Sequence, residues 1–296
     1  MSLLANAGPY SLTKTWYEDG TATDVGAVTI GVTDANGDTV VASATSTTNN
    51  GDGTYTYSLG DQTEPNLLIV TWTRSDGNGD LVDFIEVVGS RLFTEAGFRA
   101  FNDDQFSSTA RYSDSAIADA RDAVTEQLER WTGVGWAQRY ARVELAGSGT
   151  NTQHLTDGWC RTSTGVPLNR PGRLQTINSV ISATVSSTSQ TVSTITIHGS
   201  HLVKTSTWSS ATTNDPLNVT VEYTYGHPYL VDSVDRIAML LAADRLRETA
   251  LSSRATTWSD ELGTYRFETP GRAGNVSTIP EVNEWVKAHR SPLLSV

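Results

Sequence analysis

The chain has 296 residues, a length that allows one large domain or two of ordinary size. Its 33 acidic and 21 basic residues give a net charge of -12, which argues against the attraction to phosphates on which nucleic-acid binding depends. The single cysteine excludes an intrachain disulfide, and the sequence shows neither a signal peptide nor a run of about 20 apolar residues. We therefore expect a soluble protein that is made in a cytoplasm.

Six short segments in the first 90 residues predict a small antiparallel β-sandwich. They are rich in Val, Ile, Thr, Tyr and Trp, and they cover 10–17, 27–32, 39–44, 54–59, 67–74 and 81–88. Asn36-Gly37 is a strong signal for a two-residue hairpin turn in which both residues have positive φ. The segment GDGTYTYSL, which begins at Gly51, resembles a strand that is common in immunoglobulin-like domains.

Two acidic turns in this region, at 34–38 and 76–80, have the first three ligand positions of a calcium-binding EF-hand loop. Thr39 and Leu81 occupy the position at which that loop requires glycine, and Val87 occupies the position of its last glutamate in the second turn. Asp, Asn and Gly are also the residues that tight hairpins need. We interpret both turns as structural and predict no metal site there.

Helix-rich sequence begins near Ser90, where we place a domain boundary. Thr94 is expected to cap a short helix that carries Phe93, Phe98 and Phe101 and ends at 102–104. Ser113 is expected to cap a longer helix, with Gly133 as its left-handed C-terminal residue. The apolar face of this second helix consists of Ile117, Ala120, Val124, Leu128 and Trp131. We interpret its opposite face as solvated; that face consists of Arg121, Asp122, Glu126 and Glu129.

Residues 136–225 return to strand-rich sequence and predict a β insertion within a helical frame. A low-charge Ser/Thr segment in it has an alternating apolar face, which is predicted to consist of Val180, Ala183, Val185, Val192, Ile195, Ile197, Leu202 and Val203. Further on, Val219, Val221 and Tyr223 alternate with polar residues, which is the pattern of a half-buried strand.

A long helix is predicted after a turn at 226–228. Asp232 is its expected N-cap, and the segment IAMLLAA, which begins at Ile237, is apolar nearly all round. Such a helix is covered on more than one side, either by its own domain or by a neighbouring subunit. The C-terminal end is mostly turn residues, followed by a short helix that begins at Pro280. This end is predicted to be either a partner-docking arm or a segment folded back on its own domain.

No motif in the sequence predicts catalytic residues, a metal site or a cofactor. The region of Ser148 lacks the spacing of a nucleophile elbow, and the region of Gly133 lacks the third glycine of a dinucleotide fingerprint. His198 and His201 have the spacing H-x-x-H but no cysteine or acidic pair nearby, so we predict no metal site there. Cys160 has no recognisable base beside it in sequence. The sequence therefore favours a binding or assembly protein.

Three elements, in one order, resemble the head–tail connector (adaptor) proteins of tailed bacteriophages. They are the end of the amphipathic helix, Glu129–Gly133 (ERWTG), the strand Val221–Gly226 (VEYTYG), and the long helix Val234–Arg247. The ending IPEVNEWVKAH is similar to the C-terminal tails of long connectors.

This resemblance covers residues 91–296 and implies an α+β fold. We expect an immunoglobulin-like β-sandwich in 1–90, which compact family members lack, followed by a connector domain in 91–296. The connector domain would contain the β insertion, about 136–225, and a C-terminal docking arm, about 270–296.

The resemblance also implies a structural virion protein rather than an enzyme. A closed ring, a dodecamer in this family, would lie in the neck between the portal protein and a stopper or tail-completion protein. DNA would pass through its channel without sequence-specific binding, because an acidic wall repels phosphates. The implied portal arm consists of Ile279, Val282, Trp285, Val286 and His289. The implied subunit interface consists of Ile237, Met239, Leu240 and Leu246.

Two other functions remain open on the sequence. An immunoglobulin-like sandwich beside a carbohydrate- or receptor-binding module would give a surface-binding protein, which suits the all-β N-terminus and the scattered tryptophans. The long apolar helix and the absence of a secretion signal argue against this alternative. A weaker hypothesis is a hydrolase whose site forms only in three dimensions.

Overall fold

The computed structural model describes residues 2–77, 79–101, 105–155, 159–160, 177–199, 201–227, 233–247, 257–260, 263–266 and 275–290. The fold is mixed α+β, as predicted, with N-terminal β-sheets, a helical segment, and then further antiparallel sheets and helices. The chain divides into two compact units, which we call the sheet unit (1–90 with 138–226) and the helical unit (91–137 with 227–296). No helix in the described ranges is long and apolar enough to cross a membrane.

Two β-sheets form the N-terminal part of the sheet unit. The first has the spatial order β1 (Ser2–Leu4), β10 (Asp80–Val88), β9 (Asn66–Arg74), β5 (Val28–Asp34) and β6 (Thr39–Ser46), and its β1–β10 pair is parallel. The second has the order β2 (Tyr10–Thr15), β8 (Thr54–Leu59) and β7 (Thr48–Asn49), and a separate ribbon pairs β3 (Tyr17–Glu18) with β4 (Thr21–Ala22). All six segments that the sequence predicts form strands. The pattern does not predict β1, β4 and β7, and it does not separate β3 from β2, because two or three residues are too few to show a period of two.

Apolar side chains from both sheets enclose one core. Its members are Leu3, Leu12, Trp16, Val28, Ile30, Val32, Tyr55, Leu59, Leu68, Val70, Trp72, Ile85 and Val87. The hydroxyl of Tyr55 donates to Asp24 Oδ1 at 2.8 Å and accepts the N–H of Val25 at 2.9 Å, so the polar end of this buried ring is satisfied. Gly53 has φ 84, and a Cβ there would lie 2.6 Å from the backbone nitrogen of Thr23. Only glycine therefore fits the start of β8.

The β5–β6 hairpin forms around Asn36-Gly37, but the predicted two-residue turn is wrong. Gly37 has φ 88, whereas the φ of Asn36 is not positive. The loop is longer, because Asp34 Oδ1 accepts the backbone N–H groups of Asn36 and Asp38 at 2.8 and 2.9 Å. Asp34, the first residue of this turn, therefore stabilises the turn by hydrogen bonds to the turn's backbone.

The β insertion supplies the rest of the sheet unit. Its five-stranded sheet has the order β13 (Trp159–Cys160), β11 (Arg139–Leu145), β18 (Val219–Tyr225), β14 (Ile177–Val185) and β15 (Thr188–Ser189). A three-stranded sheet has the order β12 (Thr152–His154), β17 (His201–Lys204) and β16 (Ile195–His198), and a 3-10 helix at Val192–Thr194 precedes β16. All of these strand pairs are antiparallel, and β18 is the central strand of the larger sheet.

Most of the predicted inner face of the insertion is confirmed. Six of its eight residues are buried in the insertion core or pack against it: Val180, Ala183, Val185, Ile195, Ile197 and Leu202. The prediction that Val203 lies on the inner face is wrong. Val203 follows the buried Leu202 along β17, so its side chain lies on the opposite face of the sheet. Val192 lies in the 3-10 helix rather than in a strand.

The prediction of a half-buried strand at β18 is wrong, because both faces of the strand are buried. Val219 and Val221 are fully buried in the insertion core. On the other face, Glu222 and Thr224 are only 2% and 4% exposed. N-terminal residues of the same unit reach this face, since Asn36 Nδ2 donates to Glu222 Oε2 at 2.8 Å. Polar residues on a strand therefore do not mark an exposed face here.

The helical unit contains α1 (Glu95–Arg99), α2 (Asp114–Thr132), α3 (Val234–Leu246) and α4 (Pro280–His289), with a hairpin of β19 (Thr257–Asp260) and β20 (Gly263–Arg266). The predicted start of α1 and both predicted ends of α2 are confirmed. Of the three phenylalanines predicted on α1 only Phe98 lies in it, and its predicted end at 102–104 lies outside the described residues. Thr94 and Ser113 accept backbone N–H groups of the first turns, and Gly133 ends α2 with φ 73. The expected N-cap of α3, Asp232, lies outside the described residues, and α3 begins after Ser233, which has φ 58.

Helices α2, α3 and α4 pack around one core, to which Leu92, Phe93, Phe98, Phe106 and Tyr112 also contribute. The predicted apolar face of α2 is confirmed, with Ile117, Ala120, Val124 and Leu128 buried and Trp131 partly buried. The predicted solvated face of α2 is wrong in part. Arg121 and Glu129 are only 2% and 8% exposed, whereas Glu126 is exposed.

Removal of residues 1–90 tests how far the N-terminal strands and the insertion depend on each other. A chain that begins at Arg91 would leave Arg139 and Glu222 without their N-terminal partners Glu86 and Asn36. We expect the insertion to lose its cooperative unfolding transition, because a buried charge without its partner costs about 3–5 kcal/mol. Differential scanning calorimetry of the truncated and full-length chains measures this. A transition of the truncated chain that coincides with one of the full chain would contradict it and would support the predicted domain boundary.

Candidate functional site

The end of helix α2 is built from the residues of the ERWTG motif. Glu129 Oε1 accepts the backbone N–H groups of Trp136 and Ala137 at 3.2 and 3.3 Å. Thr132 Oγ1 accepts the indole N–H of Trp136 at 2.8 Å, and Gly133 supplies the left-handed residue at which the chain turns. Glu129 is buried because its carboxylate replaces water as the acceptor for these backbone groups. The motif therefore stops the helix and positions Trp136.

Trp136 lies in a group of four rings that we call the aromatic cluster, formed by Trp136, His227, Trp285 and His289. The centroid of Trp136 is 5.3 Å from His227, 4.9 Å from Trp285 and 5.7 Å from His289. Trp285 and His289 stack at 4.2 Å with 20° between their planes, and His289 Nδ1 lies 2.8 Å from the carbonyl oxygen of Trp285. The cluster fastens α4 to the turn that follows α2.

Helix α4 carries the predicted portal arm, and the structure folds it onto the helical unit. Val282 and Val286 are buried in the core, with 0% and 3% exposure, while Ile279 and Trp285 are partly buried against it and His289 is half-buried. Of the two alternatives for the C-terminal end, the described part therefore takes the folded-back one. Residues 270–274 and 291–296 of the predicted arm lie outside the described residues, and docking to a portal stays a prediction.

Two polar contacts involve the first turns of α4. Asn283 Oδ1 accepts the backbone N–H groups of Val276 and Ser277, each at 2.9 Å. On the surface, Arg236 of α3 pairs with Glu281 at 2.8 Å, and this hydrogen bond lowers the pKa of Glu281. Both side chains of that pair are about half exposed, so the pair contributes little to stability, whereas the buried Asn283 ties α4 to the segment just before it.

Helix α3 carries the predicted subunit interface. Ile237 is buried in the core of the helical unit, whereas Met239, Leu240 and Leu246 are only partly buried against it. The apolar residues all round α3 therefore lie in two different environments. One part of the helix surface packs against α2 and α4, and the other part keeps some apolar area at the surface. Contact with a second subunit through these residues stays a prediction.

A buried polar junction joins the N-terminal strands to the insertion inside the sheet unit. Glu222 accepts hydrogen bonds from Ser182 Oγ and Asn36 Nδ2, each at 2.8 Å, and its Oε1 lies 3.8 Å from Arg142 Nε. Burial raises the pKa of Glu222, although the Ser182 hydrogen bond and the charge of Arg142 oppose the shift. Burial also raises the pKa of Tyr140, and the nearby charge of Glu222 adds to this shift.

A cleft of about 510 Å³ opens in the sheet unit next to this junction. Its lining includes the polar side chains of Asn6, Glu64, Gln138, Ser179 and Thr224. Ser179 and Thr224 hydrogen-bond each other at 2.7 Å across strands β14 and β18. Sequence reasoning missed the cleft, because its residues come from distant parts of the chain and share no motif.

A scan against models of known protein families finds no match, and no curated protein matches the chain. The functional interpretation therefore depends on the geometry of this chain and on the order of its elements.

Thr132 and Thr125 allow a matched test of the turn after α2. Both hydroxyls donate to the carbonyl four residues earlier at 2.8 Å, but only Thr132 also accepts the indole N–H of Trp136. We expect Thr132→Val to lower the free energy of unfolding by about 1–3 kcal/mol more than Thr125→Val, because it leaves a buried N–H without its acceptor. Urea unfolding of both variants measures the difference. Equal losses would show that the Thr132 contact does not hold Trp136.

The pH dependence of stability tests the state of Glu222. Its pKa is raised in the folded protein, so its contribution to stability is fully present below the ordinary value of 4.5 and is lost as pH rises through the raised pKa. We expect Glu222→Gln to remove this loss, so that the variant gains stability relative to the wild type as pH increases. Unfolding free energies of both proteins from about pH 4 to about pH 8 measure it. A difference that is constant with pH would contradict the raised pKa.

Proposed function

We propose that this protein is a head-to-tail adaptor of a tailed bacteriophage, a structural virion protein without catalytic residues or a cofactor. In this proposal, copies of the chain form a closed ring, a dodecamer, that binds the portal protein and extends the DNA channel. A stopper or tail-completion protein binds the other side of the ring. The protein is made in the host cytoplasm and ends in the neck of the virion.

The observation that carries the proposal is the packing of α2 against α3. These helices are separated in sequence by the whole β insertion, yet they share one core. This is the frame that the resemblance to connectors implies, an amphipathic helix and a long helix with a sheet inserted between them. The two short motifs of the resemblance also have physical roles in this frame. ERWTG ends α2 and positions Trp136, and VEYTYG forms most of the central strand β18.

Ring formation needs an apolar surface that the single chain leaves partly uncovered. Met239, Leu240 and Leu246 on α3 supply candidate area of this kind, and Ile237 supports the helix from inside the core. A closed ring uses two different surfaces of each copy, so a second surface must accept these residues. The net charge of -12 suits a channel wall along which DNA moves without being bound.

Portal binding is assigned to helix α4. Val282 and Val286 hold the helix on its own unit, whereas Ile279, Trp285 and His289 keep part of their surface accessible. Tryptophan is one of the residues most often found as an anchor at protein interfaces, because it combines a large apolar area with a polar N–H. We therefore place Trp285 at the centre of the portal contact.

A second candidate function is a surface- or carbohydrate-binding protein, and the cleft in the sheet unit favours it. Asn6, Gln138, Ser179 and Thr224 offer neutral hydrogen-bonding groups, which suit the hydroxyls of a sugar. No corresponding observation favours a hydrolase. Binding of the full chain to glycans, with no portal protein recovered, would support this second function instead of the first.

The adaptor role is tested by capture of the tagged full-length chain from cells that produce the phage, with bound proteins identified by mass spectrometry. We expect the portal protein to be recovered with the wild type and with Glu284→Ala, which changes an exposed residue of the same helix. We expect Trp285→Ala to lose the portal protein but to keep a cooperative thermal transition, because Trp285 is only partly buried. Absence of the portal protein from the wild-type sample would contradict the proposed function. A Trp285→Ala variant that no longer unfolds cooperatively would show that Trp285 is a core residue instead.

A further inference from the structure

Three histidines form one row across the three-stranded sheet of the insertion. The strand register pairs His201 of β17 with His154 of β12 on one side and with His198 of β16 on the other. Ring centroids are 5.2 Å apart for His154 and His201, and 5.9 Å apart for His198 and His201. The H-x-x-H spacing contains only two of these residues, since the third comes from a strand far away in sequence.

The row lies on the outward face of its sheet. Gln153 and Leu202, the neighbours of His154 and His201 along their strands, are buried on the opposite face at 4% and 0% exposure. His154 and His198 are exposed, and His201 is half-buried between them. A solute can therefore reach all three imidazoles from one side.

The three imidazoles of the row favour one class of metal ion. Imidazole nitrogens are preferred ligands of Zn²⁺, Ni²⁺ and Cu²⁺, whereas Mg²⁺ and Ca²⁺ take oxygen ligands. With Zn–N distances of about 2.0–2.1 Å, two imidazoles on one tetrahedral zinc ion have ring centroids roughly 5 Å apart. The spacing of His154 and His201 fits this value, whereas that of His198 and His201 is larger. His154 and His198 lie on opposite sides of His201, so both must turn towards it to share one ion.

The rings stand side by side, with 39° between the planes of His154 and His201 and 16° between those of His198 and His201. Within the described part of the chain, no group of three or more His, Cys, Asp or Glu side chains is placed to hold a metal ion as the side chains stand. Binding therefore requires rotation of the imidazoles about χ1 and χ2. The two outer rings are exposed, so they can rotate without displacing core atoms.

We propose that His154, His198 and His201 bind one Zn²⁺ ion, with His201 as the central ligand and water completing the coordination. The ion joins β12 to the β16–β17 hairpin and so stabilises the outer sheet of the insertion. Because binding pulls the equilibrium towards the folded state, zinc is expected to raise the temperature of thermal unfolding. This inference does not depend on the adaptor role.

The test is a titration of the full-length chain, purified without a polyhistidine tag, with zinc chloride alone in a calorimeter. We expect one zinc ion per chain, and a higher unfolding temperature in the presence of zinc. His201→Ala should abolish binding, because this residue neighbours both other ligands. His154→Ala and His198→Ala should each weaken binding by about tenfold or more, because loss of a ligand costs at least as much as loss of a residue that supports one.

Thr196→Ala is the matched control, since Thr196 is an exposed residue on the same face of β16 two positions before His198. It should bind zinc as the wild type does. Unfolding of each variant without zinc shows whether the sheet itself is intact. Absence of zinc binding by the wild type, or undiminished binding by a folded His201→Ala variant, would overturn the proposal.

Discussion

The burial of one carboxylate on the central strand β18 constrains the whole sheet unit. Removing a charged group from water costs several kcal/mol unless its oxygens are hydrogen-bonded, so Glu222 is tolerable only where its partners are assembled around it. These partners, Asn36, Arg142 and Ser182, come from an N-terminal hairpin and from the two strands beside β18. A slip of one residue in β18 would turn Glu222 into the apolar core of the insertion. The N-terminal strands and the insertion therefore specify each other's register.

The helical unit uses a buried carboxylate in a similar way. Glu129 accepts backbone N–H groups after the end of α2, and together with Thr132 it positions Trp136, which the rings of Trp285 and His289 on α4 contact at inclined angles. The result is a C-terminal helix held by its own unit, with part of Trp285 at the surface. Such preorganisation would suit the proposed adaptor role, because less conformational freedom is lost on binding a large partner.

The sequence correctly predicts the elements that have a regular pattern of apolar residues or a local capping residue. The strands of the N-terminal sandwich, the apolar face of α2 and the caps at Thr94, Ser113 and Gly133 all depend on local patterns, and all of them form. A pattern shows which residues share a face but not what covers that face. For this reason the polar side of β18 and part of the polar side of α2 appear solvated in the sequence, although Glu222, Arg121 and Glu129 are buried.

The candidate site shows the same limit. Trp285 is visible in the sequence as an aromatic anchor, but its contact Trp136 lies far away in sequence, and no local motif connects the two residues. The row of histidines is likewise incomplete until the strand register brings His154 beside His201. In both cases the residues meet only through contacts between strands or helices that are distant in sequence. Local sequence patterns do not predict such contacts.

The most direct test of the account is an electron cryomicroscopy reconstruction of the neck in phage particles from cells that carry this gene. The account predicts a closed ring of copies of this chain next to the portal, with α2 and α3 packed together and α4 directed at the portal. A neck reconstruction in which every ring is assigned to other proteins would contradict it, and so would density for this chain at the outer capsid or the tail tip.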